Sequence, residues 1–333
     1  MKKPISALVY IIVLLFAFSA CAKNEIESAI NISGLNLSDE VLIYYLDKVS
    51  SSPEKYGLNE NSVSGNYIDA AEQLCAKYAA VNTEFQKRSL ALDTEHKTEI
   101  SGGVSNEWRI YSSYYNKIGV SKQTLTKIKT SFAKRDVLFN SYYGEGGSSE
   151  VPGKVIKDYF YANYVGFFAV NGYMTATDET GKTVSLDDDE KEKLRAKFNS
   201  MLSQLNNGQT IDEVGAAYAK EQDSTFNAGA VNLLKKDSSE YPEGFYEKVA
   251  ALDSGKSAVI EAGDYIFLVV KADMSKDDDT YFNAHRSACL KQLKSAEFDG
   301  IISSAAESYK ITENTERLNS LIEEYKATQR EGS

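Results

Sequence analysis

The sequence predicts an α+β protein: helices from both ends of the chain share one core, and a mixed unit of strands and helices is inserted between them. Three observations predict it. Residues 38–142 carry apolar side chains at three- and four-residue steps, the period of an amphipathic helix. Two apolar runs of strand length, Tyr164–Val170 and Tyr265–Val270, follow that helical stretch. Helical periodicity then returns from Thr280 to about Tyr309, anchored by Phe282, Leu290, Leu293 and Phe298.

In chain order, residues 1–20 read as an export signal. Lys2 and Lys3 precede an almost unbroken apolar run, Ile5 to Phe18, and small residues Ser19 and Ala20 lead to Cys21. The run is short for a span, which needs about 20 apolar residues. Phe18-Ser19-Ala20-Cys21 resembles a bacterial lipobox, although a smaller aliphatic residue is usual at Phe18. The resemblance implies lipid on Cys21, with acyl methylenes anchoring the chain at about 0.8 kcal/mol each. Plain secretion is the alternative.

Removing residues 1–20 leaves enough chain for two domains, or one large one. An apolar content of 42% suffices for real cores. A net charge of −11 and a pI near 4.9 argue against a nucleic-acid partner and against broad attraction to anionic lipid. Cys75 and Cys289 are the remaining cysteines: two buried free thiols, or a pair formed outside the cytoplasm. No CxxC pair or His/Cys cluster suggests a metal site, and no cofactor is expected.

Ala29 to Leu37 alternates around Gly34 and predicts a short strand or turn. Ser38, with Asp39 and Glu40 behind it, predicts a helix start, and Val41, Leu42, Tyr45, Leu46 and Val49 form its stripe. Further helices are predicted over Tyr67–Lys87, over Asn106–Ile118 with Gly119 as the stop, and from Ser121 to about Tyr142. Gly144–Ser149 is the clearest linker. A short helix follows, with Val155, Ile156, Tyr159 and Phe160 inward. Next come the Tyr164–Val170 strand and a Glu190–Leu205 helix. Thr210 and Glu213 form a capping box opening another helix. Short strands are predicted at Ala230–Leu234 and Val259–Ile260, before Tyr265–Val270. Asp187–Glu190 lacks the ligand spacing and central glycine of an EF-hand and reads as a helix N-terminus. The paired tyrosines at 44–45, 114–115 and 142–143 read as helix packing, with a cradle for unfolded chains as the alternative. The expected domains are 1–20, the signal; 21–150, a helical segment; 151–273, the inserted unit; and 274–333, a helix returning to the first segment.

This order resembles the PrsA-type foldase lipoproteins and the related SurA-type periplasmic chaperones, in which a parvulin domain sits inside a helical chaperone domain. Ala29 to Glu40 resembles their entry strand and first helix. Ile211 to Tyr218 resembles the second parvulin helix. Ala228 to Leu234 resembles a degraded glycine-rich stretch. Phe245, Leu252, Gly255, Ser257 and Gly263-Asp264-Tyr265 resemble the closing helix, turn and strand. The resemblance implies a surface-anchored binder of newly exported, unfolded polypeptides. It implies an apolar proline pocket at Val231, Tyr241 and Phe245, with core packing as the alternative. The two histidines of active parvulins would fall near Phe167 and at Tyr265, and neither is histidine. The family's acidic or thiol position falls near Gln222, beside Glu221 and Asp223. The chain's two histidines, His96 and His285, lie outside 151–273. The resemblance therefore implies weak or absent isomerase activity with pocket binding kept, and the runner-up is an active isomerase with an altered pocket. A solute-binding lipoprotein would show alternating βα units instead of the helical 38–142.

Overall fold

The computed structural model describes residues 28–276 and 279–330. The export signal and Cys21 lie outside the described residues. In chain order the elements are β1 (Ile30–Ile32), β2 (Leu35–Asn36), α1 (Asp39–Ser51), α2 (Ser64–Lys87), α3 (Thr94–Lys117), α4 (Lys122–Tyr143), α5 (Gly153–Asn163), β3 (Tyr164–Tyr173), β4 (Thr175–Thr177), β5 (Thr183–Ser185), α6 (Asp188–Asn206), α7 (Ile211–Glu221), β6 (Asn232–Lys235), α8 (Phe245–Ala250), β7 (Ser257–Ala262), β8 (Tyr265–Lys271), α9 (Thr280–Glu307), β9 (Ile311–Glu313) and α10 (Thr315–Arg330). The fold is α+β. The described residues form two compact units, 28–138 with 301–330, and the stretch within 139–300, and the division falls inside α4 and α9.

In the first unit the two chain ends meet through backbone hydrogen bonds. β1 is the middle strand of a three-stranded sheet, between β2 and β9, with Ile30 opposite Glu313 and Ile32 opposite Ile311. Helix α1 is buried nearly all round, not along one stripe: Ile43, Tyr44 and Asp47 are covered as well as Val41, Leu42 and Val49. Small residues Ala71, Cys75, Ala76, Ala79 and Ala80 on α2 let the two helices approach closely. Ser38 does stand at the N-cap of α1, but its hydroxyl makes no cap bond. The neighbouring carboxylates work there instead. Asp39 accepts from the Ala29 amide at 2.7 Å and from Arg317 Nε of α10 at 2.7 Å. Glu40 accepts from the Ser121 amide at 2.9 Å at the head of α4.

Three features of the helices differ from the sequence expectation. Helix α3 begins at Thr94, twelve residues early, because Asp93 caps it through the His96 amide while residues 94–105 offer almost no apolar signal. The last long helix ends at Glu307, and β9 and α10 follow it. In α5, Ile156 and Phe160 are fully buried, but Val155 faces outward. The 144–149 stretch is a hydrogen-bonded turn closing α4, with Ser149 N–H on the Tyr142 carbonyl at 2.7 Å. Cys75 and Cys289 are free, buried thiols.

The second unit is built on a four-stranded antiparallel sheet, ordered β6-β3-β8-β7. Successive side chains on a strand alternate between faces. One face carries Val170, Ile266 and Leu268, covered by Phe198 and Met201 of α6 and Val214 of α7. Both covering helices open with capping boxes, Thr210 with Glu213 as expected from the sequence, and Asp187 with Glu190 where the sequence showed only an acidic helix N-terminus. The other face carries Phe167, Phe267 and Val269, packed against Phe245 and Val249 of α8.

Candidate functional site

Helix α8 has only six residues and covers only part of its sheet face. Beside it the sheet is left open as a cleft of about 440 Å³, and its floor follows from strand parity. Ala169 and Asn171 of β3 share the face of Phe167, and Tyr265 and Phe267 of β8 stand on the same side. The register sets Asn171 opposite Phe267 and Tyr173 opposite Tyr265. Asn232 of β6 pairs with Phe167 and joins the same face.

Two loops make the walls. Tyr241 and Pro242 come from the β6–α8 connection, with Glu240 at the rim. The Tyr241 ring stacks on Phe245 at 4.6 Å and meets Phe167 edge-on at 5.3 Å, so the buried core aims it. Burial, with Glu240 beside it, raises the Tyr241 phenol above its ordinary pKa. The second wall is Phe226, Asn227 and Ala228, in the loop after α7. That loop is tied to its helix twice. The Phe226 ring lies where a Cβ on Gly215 would stand, 2.3 Å from that position, and the Ala228 amide donates to Asp212 at 2.7 Å.

The lining is aromatic and amide in character. Tyr265 stacks on Phe267 at 5.6 Å, and Tyr173, 58% exposed, extends the aromatic row past the cleft. Asn171, Asn227 and Asn232 contribute side-chain amides, and Tyr241 and Tyr265 phenols. Among the described lining residues Glu240 is the only carboxylate, and none is histidine, cysteine, lysine or arginine, so the cleft offers mainly hydrogen bonding and apolar contact. Among the described residues there is no group of three or more His, Cys, Asp or Glu that could hold a metal ion.

The residues singled out from the sequence have separate fates. Tyr241 and Tyr265 line the cleft together. Phe245 lies beneath it, fully buried. Val231 packs against Gly166, on the opposite face of the sheet, beside Met274. Phe167 is fully buried and pairs with Lys271, six residues along β3 from Tyr173, the partner of Tyr265. At about 3.3 Å per residue, Phe167 and Tyr265 stand about 20 Å apart along the strands and form no close pair. Gln222 ends α7, its amide on the Ala219 carbonyl at 2.9 Å, and does not line the cleft. Asn171, Phe226, Asn232 and Phe267 were not singled out from the sequence. Counting by twos from Phe167 reaches Asn171, the polar member of an otherwise apolar face.

No family model matches the chain, and no curated protein matches it at a significant level. Among solved structures it is similar to three PrsA foldase proteins. The one from Streptococcus pneumoniae is 16% identical with a TM-score of 0.41, over 80% of this chain and 98% of that one. The one from Lactococcus lactis is 11% identical with a TM-score of 0.39, over 90% and 98%. The one from Bacillus subtilis is 12% identical with a TM-score of 0.32, over 73% and 86%. At these scores and identities the likeness adds no weight to a functional reading, which stands on the cleft itself.

Proposed function

We propose that the chain is an extracytoplasmic foldase of the PrsA type, anchored by lipid on Cys21, whose inserted unit binds segments of unfolded, newly exported polypeptides and isomerises proline bonds weakly or not at all. The carrying observation is the half-open sheet face with an aromatic floor, Tyr265 and Phe267, aromatic walls, Tyr241 and Phe226, and amide groups between them. A proline ring or another apolar side chain fits against the aromatic walls. The asparagine amides suit the carbonyls and N–H groups of an extended backbone.

Magnitudes separate binding from catalysis. Rotation about an Xaa-Pro bond crosses a barrier of about 20 kcal/mol. A catalyst lowers it only through contacts stronger to the twisted amide than to the planar one. Neutral amide and phenol hydrogen bonds are worth about 1 kcal/mol each. Two such bonds made only at the twisted state would speed isomerisation by about tens-fold, since each 1.36 kcal/mol is tenfold. That predicts a weak isomerase at most.

The test is Xaa-Pro isomerisation by the purified protein on short peptides, beside an aggregation assay with an unfolded client. Suppressed aggregation with little or no isomerisation is expected, with suppression reduced by Tyr265→Ala. A strong isomerase rate that falls on Tyr265→Ala would establish the active-isomerase reading instead. Neither activity would sink both.

A further inference from the structure

The cleft has a neighbour on the other side of one wall. Tyr241 and Pro242 also line a second cavity, of about 490 Å³, whose other residues include Asp237, Ser238, Glu243, Tyr246 and Glu247. The two cavities therefore share the Tyr241–Pro242 wall, with aromatic and amide lining on one side and acidic lining on the other. Glu240 adds a carboxylate at the rim of the aromatic side. No lysine, arginine or histidine lines either cavity. Asp237, Glu240, Glu243 and Glu247 take part in none of the ion pairs found among the described residues. The nearest lysine in sequence to Glu247, Lys248, donates instead to the Glu261 carbonyl at 2.6 Å.

Like charges set around one small space raise each other's energy, and a cation placed among them relieves it. Neighbouring residues of a peptide are 3.8 Å apart at Cα, and a lysine or arginine stem reaches several ångströms further. A peptide with an apolar residue in the aromatic cleft can thus lay the next side chain over Tyr241 into the acidic cavity. Its stem would cover the Tyr241 and Tyr246 rings and its charge would meet Glu243 and Glu247.

We propose that the paired cavities select extended segments in which an apolar residue, proline included, stands next to a lysine or arginine. This rests on the reading of the cleft as a peptide site and names the class of segment it takes. The acidic side chains are exposed, so the selectivity they provide is moderate and sensitive to salt.

The experiment measures binding of fluorescent proline peptides that differ only beside the proline, carrying arginine, leucine or glutamate, to the purified protein. The arginine peptide should bind about three- to tenfold more tightly than the glutamate peptide. The gap should close in about 0.5 M salt, where the Debye length is only a few ångströms. In a Glu243→Gln, Glu247→Gln double variant the gap should shrink while the leucine peptide keeps its affinity. Asp237→Asn, outside α8, should act in the same direction. Equal affinities for all three peptides would overturn the selectivity and leave the cleft reading standing. Binding of none of them would overturn both.

Discussion

Phe245 and Tyr265 both pack against the Phe267 ring, yet replacing each would report on different things. Phe245 has no exposed surface, and its removal opens a cavity between α8 and the sheet. Phe245→Ala should cost about 3–5 kcal/mol, enough to unfold the second unit under mild denaturant whatever the cleft does. Tyr265 is only partly covered at the cleft floor. Tyr265→Ala should leave the unfolding midpoint nearly unchanged while weakening peptide binding severalfold; loss of both together would make Tyr265 a core residue. A second residue-scale expectation concerns Glu72 on α2. Its side chain is buried, and Oε1 has no hydrogen-bond partner among the described residues. Burial, with Glu313 and Asp69 adding to it, pushes the carboxyl up to about 7. Because the folded pKa lies above the unfolded one, the carboxyl costs nothing at low pH. The unfolded chain ionises first as pH rises past about 4.5, so the cost grows to about 7 and stays at roughly 2–3 kcal/mol beyond. Glu72→Gln should therefore match the parent at pH 4 and be more stable by about 2 kcal/mol at pH 8. Trp108, the chain's single tryptophan, sits on α3 in the same unit and reports that transition by fluorescence.

At the scale of elements, the loop after α7 shows how one glycine places a wall of the cleft. The Phe226 ring occupies the space of a Gly215 side chain, so Gly215→Ala must push the ring away or shift the helix. Overpacking of this kind costs about 1–3 kcal/mol. The variant should lose that much stability, and peptide binding should fall as Asn227 and Ala228 move; unchanged binding would show that this wall is dispensable. The same loop marks where the sequence stopped being readable. The capping box at Thr210, the acidic helix start at Asp187, and the apolar runs of β3 and β8 depend on neighbours a few residues away, and they were legible. The cleft's β6 residue was not, because in a strand an error of one position selects the other face. Val231 and Asn232 differ by one residue, and only Asn232 faces the cleft. Helix α3 was half legible for a related reason: its first turns bury only Val104, so there was no periodic stripe to follow.

At the scale of the molecule, the first unit depends on contacts that almost span the sequence. β9 has only three residues, and its partner β1 is some 280 positions earlier, so no local pattern announces the pairing. What makes it worth forming lies around it. The Asp47 carboxylate, buried on α1, accepts hydrogen bonds from the Tyr114 hydroxyl of α3 and, at 3.1 Å, from the Tyr325 hydroxyl of α10. Arg317 of α10 meets Asp39 at the head of α1. Leu318, Leu321 and Ile322 of α10 are buried too. A chain ending at Glu307 would lose β9 and every one of these α10 contacts, keeping only the Tyr114 bond to Asp47. It would leave Asp47 and Asp39 with fewer partners, and an unpaired buried group costs about 1–3 kcal/mol before the lost apolar burial is counted. The second unit is a single stretch, residues 139–300, and keeps every strand of its sheet in such a chain. Truncation after Glu307 should therefore abolish the Trp108 unfolding transition and the slow amide exchange of α1 and α2. Slow exchange in β3 and β8, and peptide binding at the cleft, should survive. Collapse of both units together would show that the inserted unit folds only with its helical neighbour, and that the cleft cannot be treated as a module.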